Sequence, residues 1–158
     1  MGYLKNKRGI VMGVANDHSI AWGIAQKLSD EGAELCFTYQ GDSLLRRVKP
    51  LAESINNDFL IECDVLKKES IENTFKKIRE KWKTIDFVLH SIAFSDKEEL
   101  KGKYIKTSRE NFTQTMLISC FSFTEIANEA HKMMPSGGAM LTLTYDGSQK
   151  FIPNYNVM

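Results

Sequence analysis

The chain has 158 residues, 42% of them hydrophobic and 26% charged, and its 21 Lys and Arg against 20 Asp and Glu leave a formal net charge of +1. That composition excludes disordered, collagen-like and disulfide-scaffold classes, and the length suits one domain, residues 1–158, with a core of its own. Near-neutral charge gives no basis for binding nucleic acid or a membrane surface, both of which draw on a basic excess, and no apolar run reaches the roughly eighteen residues of a membrane span.

The stretch from Met1 to Arg8 leads into a strand-like run without the apolar segment and small-residue cleavage site of a signal peptide. Residues 9–14 form a short β-branched run. Ser19 is placed to cap a helix reaching Asp30, with Ile20, Ile24, Ala25 and Leu28 on one face, Gly23 allowing close packing on a sheet, and Gly32 as its stop. Residues 33–39 read as a second strand. A helix follows over 42–54, with Pro50 expected to kink or divide it. Residues 59–63 read as a third strand. Ile71, Phe75, Ile78 and Trp82 mark one face of a third helix, and residues 85–90 a fourth strand.

Residues 94–106 are charged and read as a loop. Thr107 and Glu110 have capping-box spacing, and a long helix should then reach about Met133 with Phe112, Met116, Cys120, Phe123, Ala127 and Ala130 toward the core. Pro135-Ser136-Gly137-Gly138 breaks it, and residues 139–144 form a fifth strand. Strands apolar on both faces, alternating with helices, call for a doubly wound, Rossmann-like α/β fold with a parallel sheet in the order 3-2-1-4-5, the fifth strand lying at an open edge. Cys36, Cys63 and Cys120 lie far apart in apolar runs without metal-ligand spacing, so they read as buried free thiols of a reducing, cytoplasmic compartment.

The turn after the first strand carries Gly13, Ser19 and Gly23. A dinucleotide pyrophosphate needs a close backbone approach and free N–H groups at a helix start, which Gly13 and the helix opening at Ser19–Ile20 offer. By spacing alone this is no full GxGxxG fingerprint, and an ordinary strand–loop–helix turn fits as well. Taken whole, residues 13–25 resemble the divergent glycine motif of bacterial enoyl-acyl-carrier-protein reductases, members of the short-chain dehydrogenase/reductase superfamily, in which Ser-Ile-Ala stands where relatives have further glycines. The resemblance continues through Phe37-Thr38-Tyr39-Gln40, Cys63-Asp64-Val65, His90-Ser91-Ile92-Ala93-Phe94-Ser95, Leu141-Thr142-Leu143-Thr144-Tyr145 and Ile152-Pro153-Asn154-Tyr155-Asn156-Val157-Met158.

The resemblance implies an NADH-dependent oxidoreductase of bacterial fatty acid elongation, which adds hydride to the β-carbon of a trans-2-enoyl thioester carried by acyl carrier protein. It implies that Gly13, Ser19 and Ile20 contact the pyrophosphate, Gln40 the adenosine ribose, Asp64 and Val65 the adenine, and Ile92 the nicotinamide side. From the residues alone, Ile20, Val65 and Ile92 fit core packing equally well, whereas Asp64, a carboxylate directly after a buried strand, needs a partner such as an adenine amino group. Gln40 without a following basic pair points to NADH over NADPH, Arg46 and Arg47 lying further along on a solvated helix face.

Reduction leaves an enolate whose developing charge needs a donor, and a phenol of ordinary pKa, about 10, stays protonated at neutral pH to serve. The resemblance assigns that role to Tyr155, the lining of the acyl pocket to Tyr145 and a substrate contact to Ser95; by themselves, two tyrosines near a strand end also read as surface packing. No histidine of His18, His90 and His131 is assigned a role.

The family's spacing of Tyr, six residues, then Lys sets the lysine four positions beyond Met158. The helix after strand five, the last two strands and the loop over substrate are likewise outside the chain. The expectation is therefore a C-terminally incomplete domain, matching only the N-terminal part of a family whose usual assembly is a homotetramer. The alternative is a catalytically inactive nucleotide-binding or interaction remnant; the Tyr-x-x-x-Lys and Gly-x-x-x-Gly-x-Gly spacings of ketoacyl reductases are missing.

Overall fold

The computed structural model describes residues 2–158; Met1, the first residue of the N-terminal stretch, lies outside them. Five strands alternate with helices: β1 (Arg8–Met12), α1 (Ile20–Asp30), β2 (Glu34–Tyr39), α2 (Gly41–Ser54), β3 (Leu60–Glu62), α3 (Lys68–Lys81), β4 (Phe87–His90), α4 (Arg109–Met116), a π-helical turn (Leu117–Phe121), α5 (Ser122–Ala130) and β5 (Ala139–Thr142). The strands pair in parallel in the order β3-β2-β1-β4-β5, as the alternation demanded.

Successive residues of a strand point to opposite faces, and here each face has its own core. Ile10, Met12, Cys36 and Val88 pack with Ile71, Phe75 and Ile78 of α3 and with Ile126 and Ala130 of α5. Val11, Leu35, Phe37 and Leu89 pack with Ala21, Trp22 and Ala25 of α1 and with Val48 and Ala52 of α2. Each fully buried large side chain contributes about 1.5–3 kcal/mol of transfer free energy. Burial on both sides is why the central strands read as near-continuous apolar runs.

Several local expectations are corrected. Ile20 does not face the core: it is 67% exposed, and Ala21, Trp22 and Ala25 carry the packing. Gly23 is exposed, with nothing within 4 Å of where a Cβ would stand, so the close approach of α1 to the sheet uses Ala21 and Ala25 instead. Pro50 lies inside α2 without dividing it; it faces solvent, so the carbonyl it leaves unbonded one turn earlier meets water. Trp82 stands just past α3 in extended conformation, buried edge-on against Phe59 at 4.9 Å between ring centroids.

The largest correction concerns α4 and α5. Their buried face is Asn111, Thr115, Ile118, Ser122, Ile126 and Ala130, about one residue behind the expected one. Phe112, Met116, Leu117 and Phe121 are exposed, and so is Cys120, leaving only Cys36 and Cys63 as buried thiols. Ser108, not Thr107, caps α4, its hydroxyl accepting from the Asn111 N–H at 3.1 Å. The fifth strand is shorter than residues 139–144 and forms the open edge, with Leu141 52% exposed. No helix among the described residues is long and apolar enough to cross a membrane.

Candidate functional site

The C-terminal ends of β1, β2, β3 and β4 open into a cavity of about 340 Å³, where open α/β sheets take ligands. Gly13 forms its floor beside β4. Its φ is +95°, and a Cβ there would overlap the Ser91 carbonyl oxygen, so only glycine lets β1 turn so close to its neighbour. The loop beyond is braced by Ser19, whose hydroxyl accepts from the Ala15 and Asn16 N–H groups at 3.0 and 3.1 Å. That use turns the Ser19 side chain away from capping α1. The N–H groups of Ile20 and Ala21, in the first turn, then lack an intrahelical acceptor and a side-chain cap, which is the donor set an anionic group needs.

Gln40, Asp64, Val65 and Ile92 line the same cavity as Gly13. Gln40 is exposed directly after β2 and begins α2. The Asp64 carboxylate already accepts from the Leu66 N–H at 3.1 Å and pairs with Lys67 at 3.4 Å, so it is oriented by its own turn. Ser19 and Ile20 do not line the cavity; they stand at its rim through the loop and the helix start. Cys63 also lines it, and burial pushes its thiol pKa up, opposed by a hydrogen bond with Thr74, so it stays a neutral wall.

The opposite wall includes Phe94, Gln114 and Ile118. Ser119 clasps Phe94, its hydroxyl accepting from the Phe94 N–H at 3.0 Å and donating to the Phe94 carbonyl at 3.1 Å. Beneath this wall His90 is fully buried, with Nδ1 3.2 Å from Thr142 Oγ1 and Nε2 2.8 Å from Ser122 Oγ. Ser122 donates its own proton to the Ile118 carbonyl at 2.6 Å, which assigns the imidazole proton to Nε2 and leaves Nδ1 to accept from Thr142. Burial lowers the His90 pKa to about 4, so the ring is neutral.

A second cavity, of about 160 Å³, is lined by Tyr104, Tyr145, Phe151, Tyr155 and Asn156. The Tyr145 and Tyr155 rings meet edge to face, 5.2 Å between centroids and 73° between planes. Desolvation, then the neighbouring Tyr155, pushes the Tyr145 pKa above the ordinary value, favouring the protonated phenol. Ser95 lines neither cavity. Its hydroxyl is engaged by Asn111 at 3.1 Å and Thr115 at 2.9 Å, so it ties the loop to α4.

Residues 13–158 match the family described as enoyl-(acyl carrier protein) reductase. The chain belongs to that family. It is 59% identical over 157 residues to enoyl-acyl-carrier-protein reductase (NADH) 2 of Rhizobium meliloti, covering 99% of this chain and 59% of that protein. The crystal structure of FabI from Candidatus Liberibacter asiaticus superposes with a TM-score of 0.98 at 59% identity, over 100% of this chain and 61% of that one. The reductase of Anaplasma phagocytophilum, crystallised in complex with NAD, superposes with a TM-score of 0.95 at 49% identity, over 99% of this chain and 60% of that one. The chain thus spans about three fifths of the length of the reductases it matches.

In this reductase-family chain, sequence reasoning missed the contributions of Leu44, Gln114 and Ile118 to the first cavity. It also left out Thr38 and Ser91, which line the cavity at the ends of β2 and β4, where the strand boundaries could have pointed to them. Nothing in the sequence places α4 across the sheet's C-terminal edge, and so Gln114 carried no signal.

Proposed function

We propose that the chain supplies the dinucleotide site and the tyrosine-bearing wall of an NADH-dependent enoyl-acyl-carrier-protein reductase. The observation that carries this reading is the meeting of Gly13 with Ser91 at the end of β1, beside an uncapped α1 whose first N–H groups are open. The residues fit such a group: glycine clears the floor, the helix start offers donors, and Gln40 and Asp64, both lining the cavity, offer polar groups to a ribose and an adenine.

A nicotinamide bound here would supply hydride to the β-carbon of a trans-2-enoyl thioester. The Ile20 and Ala21 N–H groups hold the pyrophosphate, with Ser19 fixing the loop and Ile20 shielding the rim. Gln40 accepts and donates at ribose hydroxyls. Asp64 accepts from the adenine amino group, and Val65 packs on the ring. Ile92 and Ile118 keep water from the nicotinamide side. Tyr155 donates its phenolic proton in a hydrogen bond to the thioester oxygen as negative charge develops there, and Tyr145 meets the Tyr155 ring edge to face and lines the acyl pocket. The substrate is carried by acyl carrier protein, and the setting is cytoplasmic, in keeping with the free Cys36, Cys63 and Cys120.

Calorimetric titration of the chain with NADH tests the reading. Saturable binding that Gly13→Val abolishes is expected; no binding by the unsubstituted chain overturns it.

A further inference from the structure

The stretch from Tyr145 to Met158 is largely exposed, Phe151 at 83%, and buries too little to be fixed by packing. Its links to the rest of the chain converge on one residue. The Asn156 side chain donates to the Glu99 carbonyl at 2.9 Å and the Lys101 carbonyl at 3.1 Å, and its backbone N–H donates to the Leu100 carbonyl at 3.2 Å. Three consecutive carbonyls are thus held by the residue next to Tyr155; among the described residues the other hydrogen bond between this stretch and the rest of the chain is a weak one, from Ser119 to Met158 sulfur at 3.8 Å.

The clasped segment is itself anchored. The Glu99 carboxylate accepts from the Ser108 N–H at 2.8 Å and from the Ser108 hydroxyl at 2.7 Å. Ser108 in turn caps α4, the helix that brings Gln114 to the dinucleotide cavity. Charge-assisted bonds of this kind are the stronger ones, so Glu99 gives Asn156 a fixed partner.

We propose that Asn156 is the positioning residue for Tyr155, setting where the phenol ring stands by clasping residues 99–101, which Glu99 fastens to the start of α4. This rests on the reading of Tyr155 as the group that meets substrate. The clasp matters because a reacting group displaced by about 1 Å loses on the order of a hundredfold in rate. An amide is needed at this position: it presents two donors to two carbonyls, where an isosteric carboxylate would present only acceptors.

The test labels the chain with 3-fluorotyrosine and follows its tyrosine resonances by ¹⁹F NMR, assigned with Tyr39→Phe, Tyr145→Phe and Tyr155→Phe. In Asn156→Asp, the Tyr145 and Tyr155 resonances should move together toward the position of the free amino acid while Tyr39, at the dinucleotide cavity, stays. Glu99→Ala leaves Asn156 intact and should move the same two resonances in the same direction. An unmoved Tyr155 in Asn156→Asp overturns the proposal. If Tyr39 moves as well, the milder Asn156→Ala decides: a Tyr39 shift there too shows a role in the whole fold and also overturns it. NADH titrations on the same samples separate the two readings, since failure of the unsubstituted chain to bind NADH defeats the functional reading while the fluorine shifts still judge Asn156.

Discussion

Acidifying the protein from neutral pH should reveal the buried imidazole of His90 as a loss of stability. Its pKa falls from the ordinary 6.5 to about 4 because burial penalises the charged ring. Well above pH 6.5 neither the folded nor the unfolded chain protonates it, and its contribution is constant. As pH falls below that, the unfolded chain takes up a proton that the folded chain refuses, so stability declines until about pH 4 and then levels off. The full window amounts to about 3 kcal/mol, with about 1.4 kcal/mol already lost near pH 5.5. Urea denaturation at several pH values, set beside His90→Asn, isolates the effect: Asn keeps a donor and an acceptor for Thr142 and Ser122 but does not titrate. With an m-value of ~2 kcal/mol/M, the wild-type midpoint should drop by roughly 0.7 M more than that of the variant by pH 5.5. A stability difference between the two proteins that stays constant from pH 7 to pH 4.5 would refute the reasoning. Asp86 and Glu129, both lowered in pKa, belong to a lower range, where their stabilisation fades as the carboxyls protonate. For Asp86, burial raises the pKa but is outweighed by Lys7 and the Arg8 N–H; for Glu129, the bond from Lys132 leads, with Arg79 adding to it against burial.

NADH should bind more tightly than NADPH, because exposed Gln40 is followed by Gly41 and Asp42 rather than a basic pair; calorimetry giving the reverse order counts against Gln40 as the ribose reader. Gly13→Ala forces a Cβ onto the Ser91 carbonyl at a φ of +95° and should weaken NADH binding at least tenfold, about 1.4 kcal/mol, while lowering the melting temperature. Ser19→Ala removes two loop hydrogen bonds and should cost roughly 1–2 kcal/mol in urea melts, with unchanged stability as the refuting outcome. Leu141→Lys places a charge on the exposed edge strand and should reduce self-association in sedimentation velocity without altering NADH affinity; identical sedimentation of the two proteins would show that this edge is not sticky.

The sheet was legible because its strands are buried on both sides. Runs such as Gly9-Ile10-Val11-Met12 and Leu35-Cys36-Phe37 have no polar face, and only a parallel, doubly covered sheet accommodates that. Gly13, Gln40, Asp64, Val65 and Ile92, which the family resemblance assigned to the cofactor, line one cavity. The face of α4 and α5 was not legible. Periodicity finds an apolar stripe but not what covers it, and here Phe112, Met116 and Phe121 face outward while Asn111, Thr115 and Ser122 pack inward. Those buried polar groups are affordable because each has a partner: Asn111 and Thr115 hold Ser95, and Ser122 holds His90. Pairings between residues 16 to 32 positions apart leave no local trace, and Asn156 with Glu99 is a longer instance still.

The π-helical turn at Leu117–Phe121 gives the helix pair one place where an extra residue is accommodated. It brings Ile118 to the cavity wall, Ser119 to Phe94 and Ser122 to His90 within five positions. A π turn holds about one residue more than an α-helical turn, so deleting one residue there would restore the ordinary pitch and leave α5 close to its present orientation. A deletion within α4 or α5 would instead rotate everything after it by about 100°. A deletion in α4 would swing Ser122 away from the imidazole and turn the exposed stripe toward the sheet. The π turn is therefore where a one-residue change of length is absorbed, while the same change in α4 shifts the registration of both walls at once.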